Sequence, residues 1–175
     1  MAGLTGDILV YEYGVGIGGH ELTSFGVGAN QQLYAGAVAL VSGSGATTVG
    51  YLKNAAVAGQ SDLVAGLVGE PAGGTLVKTG PGILGGSADG VVWADVRTGS
   101  FFVQSGSGAD LLTASNNGKT VWYGGENSSG PIACATNTGG RPVLGIQLPQ
   151  DPGIAAGFVP GANYWPIKLN VIGGP

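Results

Sequence analysis

The fold is indicated by stretches such as LLTASNNGKTVWY, residues 111–123, in which two short apolar runs flank a polar segment that contains Asn117 and Gly118. An Asn-Gly pair accommodates the positive φ angles of a type I′ turn, which commonly joins two antiparallel strands. We therefore predict a β-hairpin here, with one strand at residues 111–114 and the other at residues 119–123.

Similar runs of four to nine apolar residues, separated by Gly, Ser, Asn and Pro, recur along the chain. This pattern is typical of many short strands, and no long window keeps a helical period without a Gly. The further predicted strands are residues 7–13, 33–41, 47–52, 63–68, 75–78, 91–96, 100–104, 132–135, 143–148 and 167–172. The predicted fold class is all-β: a compact β-barrel or β-sandwich of short strands with extended N- and C-terminal arms.

The two ends of the chain differ in composition from the middle. Residues 1–30 are rich in Gly and are interpreted as an N-terminal arm or first strand. Residues 149–175 contain several prolines and are interpreted as a C-terminal arm, because Pro interrupts regular secondary structure. The predicted core domain is residues 31–148.

Charged residues make up only 9 % of the 175 residues, whereas a typical soluble domain has roughly 25 %. We infer that much of the surface is covered by copies of the chain or by a partner.

The net charge is -4 and the six basic residues are scattered, which argues against a nucleic-acid partner. We see neither a signal peptide nor a long apolar run, so no membrane partner is expected.

Few residues have the chemistry of a catalytic or metal site. Cys134 is the only cysteine and His20 the only histidine, which excludes an intrachain disulfide and a structural zinc site built from Cys and His. Cys134 lies in an apolar run that favours a buried, inert thiol and suits a reducing cytoplasm. Asp89 and Asp95 flank an apolar run, but on one strand they lie too far apart to cooperate as a glycosidase pair.

Two glycine motifs match nucleotide-binding patterns only in part. Residues 14–19 fit G-x-G-x-x-G, but no helix follows to bind a pyrophosphate at its N-terminus. The Gly-Lys-Thr at residues 118–120 is better explained by the predicted hairpin turn. We therefore predict no enzyme activity and assign no catalytic, cofactor-binding or metal-binding residue; an enzyme of nucleotide or sugar chemistry would depend on these partial matches.

Aromatic residues are the remaining candidates for function. Those within predicted strands are expected in the core or in a subunit interface; they are Trp93, Phe101, Phe102, Trp122 and Tyr123. Tyr164 and Trp165 fall in the predicted C-terminal arm, where exposed aromatics often anchor a partner. Tyr11 and Tyr13 near the N-terminus are interpreted in the same way, so these four residues are the candidate partner contacts.

The order and spacing of several runs resemble the small capsid decoration (cement) proteins of tailed bacteriophages. The runs that carry the resemblance are residues 33–41, 63–70, 73–77, 98–103, 118–123 and 141–146. The long N-terminal arm and the Pro-rich C-terminal arm depart from the family pattern.

The resemblance implies a compact, often trimeric β protein, without catalytic residues or cofactors. Such proteins bind the outer face of the major capsid protein after shell expansion and stabilise the shell. The expected location is the capsid surface of the virion, after assembly in the host cytoplasm, and a homotrimer is favoured. The alternative function is a receptor- or glycan-binding β module of a virion fibre or adhesin.

Overall fold

The computed structural model describes residues 11–13, 22–43, 50–54, 61–71, 82–150, 161 and 163–169. About half of the protein is strand and about 5 % is helix, so the all-β prediction is confirmed. The thirteen strands of the described residues are β1 (Tyr11–Glu12), β2 (Leu22–Gly26), β3 (Gln32–Leu33), β4 (Val38–Val41), β5 (Leu52–Lys53), β6 (Leu63–Pro71), β7 (Ile83–Leu84), β8 (Trp93–Arg97), β9 (Ser100–Ser105), β10 (Thr120–Asn127), β11 (Gly130–Cys134), β12 (Val143–Gln147) and β13 (Tyr164–Leu169).

Five of these strands close into a small barrel. Their order is β9-β11-β10-β12-β13, and β13 pairs again with β9 to complete the ring. Strands β9 and β11 are parallel, and every other pair in the barrel is antiparallel. The short strand β1 pairs with β9 beside β11. Closure removes the free edges that an open sheet presents to other chains.

The remaining strands form a second, five-stranded sheet in the order β2-β8-β6-β4-β5, and β3 pairs with β7 in a small ribbon. A bridge between Val27 and Leu52 brings the two outer strands of this sheet together. The second sheet leads directly into the barrel, because β8 ends at Arg97 and β9 begins at Ser100.

Strand β4 shows how the two sheets share a core. Its side chains alternate between two apolar clusters: Val38 and Leu40 pack with barrel residues such as Phe101, while Ala39 and Val41 pack in a cluster within the second sheet. All four residues are buried. A strand that is covered on both faces is expected to be apolar at every position, as this one is. One cluster therefore joins the barrel to the second sheet.

The hairpin predicted around Asn117 is wrong. Residues 111–114 form no strand, and two single 3₁₀ turns, Gly108–Asp110 and Ala114–Asn116, occupy this region. Thr113 and Asn116 form a capping box that stabilises the second turn. Asn117 has φ -55° and ψ 131°, and Gly118 has φ 76°, which are the angles of a type II turn. The Asn-Gly pair marks a turn, as predicted. The residues before it form a 3₁₀ turn instead of a strand, because the side chain of Asn116 accepts a hydrogen bond from the N–H of Thr113.

Most other strand predictions in the described residues are confirmed, with shifted ends. Residues 33–41 divide into β3 and β4, because the chain turns at Gly36, whose φ is 85°. Strands β2 and β7 are not predicted from the sequence, because β2 contains Thr, Ser and Gly, and the two residues of β7 are flanked by glycines. The predicted strand at residues 75–78, four of the seven residues of 7–13, and half of the residues of 47–52 and of 167–172 lie outside the described residues.

The predicted C-terminal arm contributes a full strand to the barrel. Strand β13 lies between β12 and β9, and Ile167 is completely buried. Pro166 has no N–H to donate, and its nitrogen faces β12 at a point beyond the last paired residues of the two strands, so no hydrogen bond within the ladder is lost. Its carbonyl still accepts a hydrogen bond from the N–H of Leu148. The boundary predicted at residue 148 therefore does not coincide with the edge of the barrel. Strand β2 likewise places part of residues 1–30 in the second sheet.

Candidate functional site

The aromatic residues predicted as partner contacts make internal contacts where the structure describes them. The Tyr13 hydroxyl donates to the Pro149 carbonyl at 2.8 Å, and its ring stands edge-on to Phe102 with centroids 5.3 Å apart. Trp165 packs against the barrel core. Tyr164 is half-buried, and the side chain of Tyr11 lies outside the described residues. Their role as partner contacts stays a prediction.

One exposed apolar surface lies on the outside of the barrel, where β10, β12 and β13 meet. Trp122 is paired with Val143, and Ile146 is paired with Lys168 on the other side of β12. Val143 is 38 % exposed and Ile146 is 45 % exposed. Ile146 is also paired with Thr120, which lies two residues before the half-exposed Trp122 in β10, and the register shift between Val121 and Trp122 leaves both pairs on the same face. We call Trp122, Val143, Ile146 and Lys168 the barrel patch.

A second exposed apolar surface lies on the second sheet at the start of β8. Val91 is 65 % exposed and Trp93 is 49 % exposed, and the buried Val92 between them shows that they share a face. Asp95 is the next residue on this face, and its carboxylate accepts a hydrogen bond of 2.7 Å from Ser24.

Tyr51 and the loop after β7 extend this second surface. A Cβ atom at Gly86, two residues after Leu84, would lie 2.9 Å from Val91, so the loop from β7 runs against Val91. Tyr51 lies across Gly26, the residue paired with Trp93. We call Tyr51, Val91, Trp93 and Asp95 the sheet patch.

Trp93 and Trp122, which the sequence predicts in the core or in a subunit interface, lie on the outside of their sheets, where Trp93 is exposed and Trp122 is half-buried. Phe101, Phe102 and Tyr123 are buried, as expected for core residues. Sequence reasoning missed Leu84, Val143 and Ile146 as surface residues. Their alternation with buried neighbours becomes clear only when the strand register is known.

A buried carboxylate lies where the barrel meets the second sheet. Glu126 is 3 % exposed, and its Oε1 accepts a hydrogen bond of 2.7 Å from the backbone N–H of Val38. Burial, and secondarily the charge of Glu126, raise the pKa of the nearby Tyr123 hydroxyl far above its ordinary range. A small pocket opens beside the carboxylate, lined by Gln32, Leu33, Tyr34, Ala37, Val38, Asn54 and Glu126. The contact with Val38 gives Glu126 a structural role, since it ties β10 to β4.

Cys134 is buried among groups that hold it as a neutral thiol. Burial is the main cause that raises its pKa to about 11. Asp110 lies beside it and accepts hydrogen bonds from Thr136 and from Arg141, the latter at 2.8 Å. The hydrogen bond from Arg141 is the main cause that lowers the pKa of Asp110. This cluster joins the first 3₁₀ turn to the loop after β11, and the raised pKa keeps the thiol mainly protonated at neutral pH.

The other motifs with possible catalytic chemistry are separated. Asp89 accepts a hydrogen bond from the N–H of Ala29, whereas Asp95 binds Ser24. Lys119 lies between a turn and β10, so no helix follows the Gly-Lys-Thr sequence. The G-x-G-x-x-G sequence and His20 lie outside the described residues. Within the described residues, no three His, Cys, Asp or Glu side chains come together as a metal site.

The described helices are single 3₁₀ turns, and none has the length or apolar character needed to cross a bilayer. Comparison with known protein families, curated proteins and solved structures finds no match to this chain.

Proposed function

We propose that this protein is a capsid decoration protein of a tailed bacteriophage, which binds the outer face of the major capsid protein and stabilises the mature shell. In this proposal it acts on the virion surface as a homo-oligomer, with a trimer favoured, after assembly in the host cytoplasm. It acts without a cofactor and has no enzyme activity.

The observation that carries the proposal is the pair of exposed apolar patches on a chain with only 9 % charged residues. Large apolar side chains on a soluble protein commonly mark a surface that a partner covers. A protein that covers a shell needs such contact surfaces on a rigid body, and a closed barrel joined to a second sheet supplies one. Many copies on a symmetric lattice then make modest individual contacts collectively strong.

The inert environment of Cys134 also suits a structural role. A thiol with a pKa of about 11 is almost fully protonated at neutral pH and is a weak nucleophile.

The sheet patch gives one specific reason to keep the glycan-binding alternative. Trp93 and Tyr51 present aromatic surface next to the hydrogen-bonded pair of Asp95 and Ser24. An apolar platform beside a few polar groups is the general composition of a small-molecule site, and a sugar ring has one apolar face and several hydroxyls.

The test is to mix the purified protein with expanded shells of the major capsid protein from the same phage, and to measure co-sedimentation and image the particles. We expect saturable binding and ordered density at a fixed lattice position. Unexpanded shells serve as the control and should bind more weakly. Absence of ordered density on expanded shells would refute the decoration proposal, and specific binding to a glycan array would then support the alternative.

A further inference from the structure

Asn117-Gly118 is the one Asn-Gly pair of the sequence. Such a pair is prone to spontaneous deamidation, because glycine has no side chain to hinder the approach of its own nitrogen to the preceding Asn side chain. The Gly118 nitrogen forms a bond to Cγ of Asn117 and loses its proton to water, the bond from Cγ to Nδ2 breaks, and ammonia leaves with a proton taken from water. Hydrolysis of the resulting five-membered ring gives aspartate or isoaspartate.

Two hydrogen bonds hold the reacting groups of this pair, whereas burial does not shield them. Asn117 is half-buried and Gly118 is exposed, so water reaches both residues. The N–H of Gly118 donates to the carbonyl of Gln147 at 2.8 Å, which holds the attacking nitrogen against β12. The Nε2 of Gln147 donates to Oδ1 of Asn117 at 2.9 Å, which holds the side chain that would be attacked.

Gln147 is itself fixed in the barrel wall. It is completely buried, it lies in β12, and it is paired with Ile167 of β13. Its backbone N–H donates to the carbonyl of Lys119 at 3.0 Å, and its Nε2 donates a second hydrogen bond to the carbonyl of Thr113 at 2.8 Å. Both N–H groups of its side-chain amide are therefore used. A single buried residue thus holds the attacking nitrogen through its carbonyl and the attacked side chain through its amide.

The backbone angles of the turn also keep the two reacting atoms apart. The five-membered ring closes only when the Gly118 nitrogen and the Cβ of Asn117 are nearly eclipsed about the Cα–C bond of Asn117. Asn117 has ψ 131°, which turns these two atoms far from the eclipsed arrangement. Ring closure therefore requires a large rotation about this bond, and that rotation breaks both the type II turn and the hydrogen bond from Gly118 to Gln147.

We propose that Asn117 is a deamidation site that the fold keeps closed, and that Gln147 is the residue that closes it. The reaction then proceeds only from open conformations in which the turn has separated from β12. Aspartate at residue 117 would still accept the hydrogen bond from Gln147, because a carboxylate is an acceptor. Isoaspartate would lengthen the backbone before Gly118 and displace the start of β10 from Gln147. This inference does not depend on the proposed function.

The first test compares the wild type incubated at neutral pH in its folded state with the same protein unfolded in guanidinium chloride. Peptide mass spectrometry measures the rate at which residue 117 is converted. Two hydrogen bonds must open before the reaction, so we expect the folded protein to react about ten-fold more slowly or less. Equal rates in the two states would overturn the proposal.

The decisive variant is Gln147→Met, which keeps the length of the side chain and the backbone bond to Gly118 but has no N–H to donate to Asn117. Loss of this one hydrogen bond should make deamidation of the folded protein about two- to ten-fold faster than in the wild type. The matched control is Ile167→Val, because Ile167 is equally buried and is paired with Gln147 but bonds to neither reacting group through its side chain. It should react at the wild-type rate.

Urea unfolding and circular dichroism establish that both variants are folded and how much stability each has lost. A wild-type rate in Gln147→Met, or a rate in Ile167→Val as fast as that of Gln147→Met, would overturn the role of Gln147. Hydrogen exchange of the Gly118 amide in the wild type needs no variant: it should be protected, and exchange at the rate of a free amide would refute the closed site. After refolding of the aged, unfolded sample, isoaspartate should be depleted from the folded fraction, and an undiminished share there would contradict the effect of the longer backbone.

Discussion

Gly124 has no space for a side chain, because the sulfur of Cys134 occupies the position that it would take. A Cβ at Gly124 would lie closer to this sulfur than the 3.0 Å that real Cβ contacts respect, while its next neighbours, both in Ile132, would be 3.4 Å away. Gly124 does not have a positive φ, so alanine causes no backbone strain there. The cost of Gly124→Ala therefore comes from one side chain.

The thiol has little freedom to move aside. Cys134 is 2 % exposed, and its sulfur also lies 3.3 Å from the Cβ position of Gly106. Overpacking of this kind costs about 1–3 kcal/mol of the free energy of unfolding. Cys134→Ala by itself should cost about 1 kcal/mol, since it removes one buried atom and leaves a small cavity.

The double variant should be more stable than the sum of the single changes predicts. With the sulfur removed, the new methyl group at residue 124 fills the vacated space, and its closest contacts are those at 3.4 Å. We expect a coupling energy of about 1–3 kcal/mol between Gly124→Ala and Cys134→Ala. Urea unfolding followed by the fluorescence of the three tryptophans measures all four proteins.

Gly50→Ala is the control for this cycle. Gly50 has φ 85° and nothing within 4 Å of its Cβ position, so alanine there is strained by the backbone alone. Its cost should be unchanged by Cys134→Ala. Additive effects for Gly124→Ala and Cys134→Ala, within about 0.5 kcal/mol, would refute the close contact between residue 124 and the thiol.

Three further predictions concern the junction, an ion pair and the last strand. Glu126→Leu should lower the free energy of unfolding by about 2–3 kcal/mol, because the buried N–H of Val38 loses its acceptor, whereas Glu126→Gln keeps an acceptor and should cost less; equal costs in urea unfolding would contradict this. The pKa of Asp110 is lowered in the folded state by Arg141, so the stability from this pair is present above the unfolded value of 3.8 and is lost as the pH falls through the lower, folded value. The stability difference between the wild type and Arg141→Gln should therefore shrink below about pH 4, and a difference that is constant down to pH 2 would show that the pair contributes nothing. Deletion of residues 151–175 removes β13 and opens the barrel, so we expect loss of the cooperative unfolding transition in circular dichroism; a retained transition would show that β13 is dispensable.

The confirmed strand predictions come from local pattern. The apolar runs that became β6, β8, β9, β10, β11 and β12 are dense in β-branched and aromatic residues, which suit a pleated and partly buried surface. The errors arose where local signals compete. Asn117-Gly118 is compatible with several turn types, and the side chain of Asn116, which bonds to Thr113, decided against a strand before it.

The candidate surfaces were less accessible to sequence reasoning. Tyr13 and Trp165 were predicted to be partner contacts because they lie near the ends of the chain, and the structure shows both partly buried against the barrel. Trp93 and Trp122 were predicted to lie in the core or in a subunit interface because they lie in strands; the structure excludes the core for the exposed Trp93 and shows Trp122 half-buried on the outside of the barrel. The face of a strand that a residue occupies depends on the register, and a shift by one residue reverses it.

The order of the amino acids is enough to predict that this protein is built from short strands, that its single thiol is buried, and that its surface has very little charge. These properties depend on composition and on the order of neighbouring residues, because strand propensity and turn chemistry act locally. Three further facts needed the folded structure: residues 164–169 close the barrel, Glu126 ties the barrel to the second sheet, and Trp93 and Ile146 are exposed on the outside of their sheets. Those facts depend on pairs of residues far apart in the chain, which come together only when β13 pairs with β9 and β12.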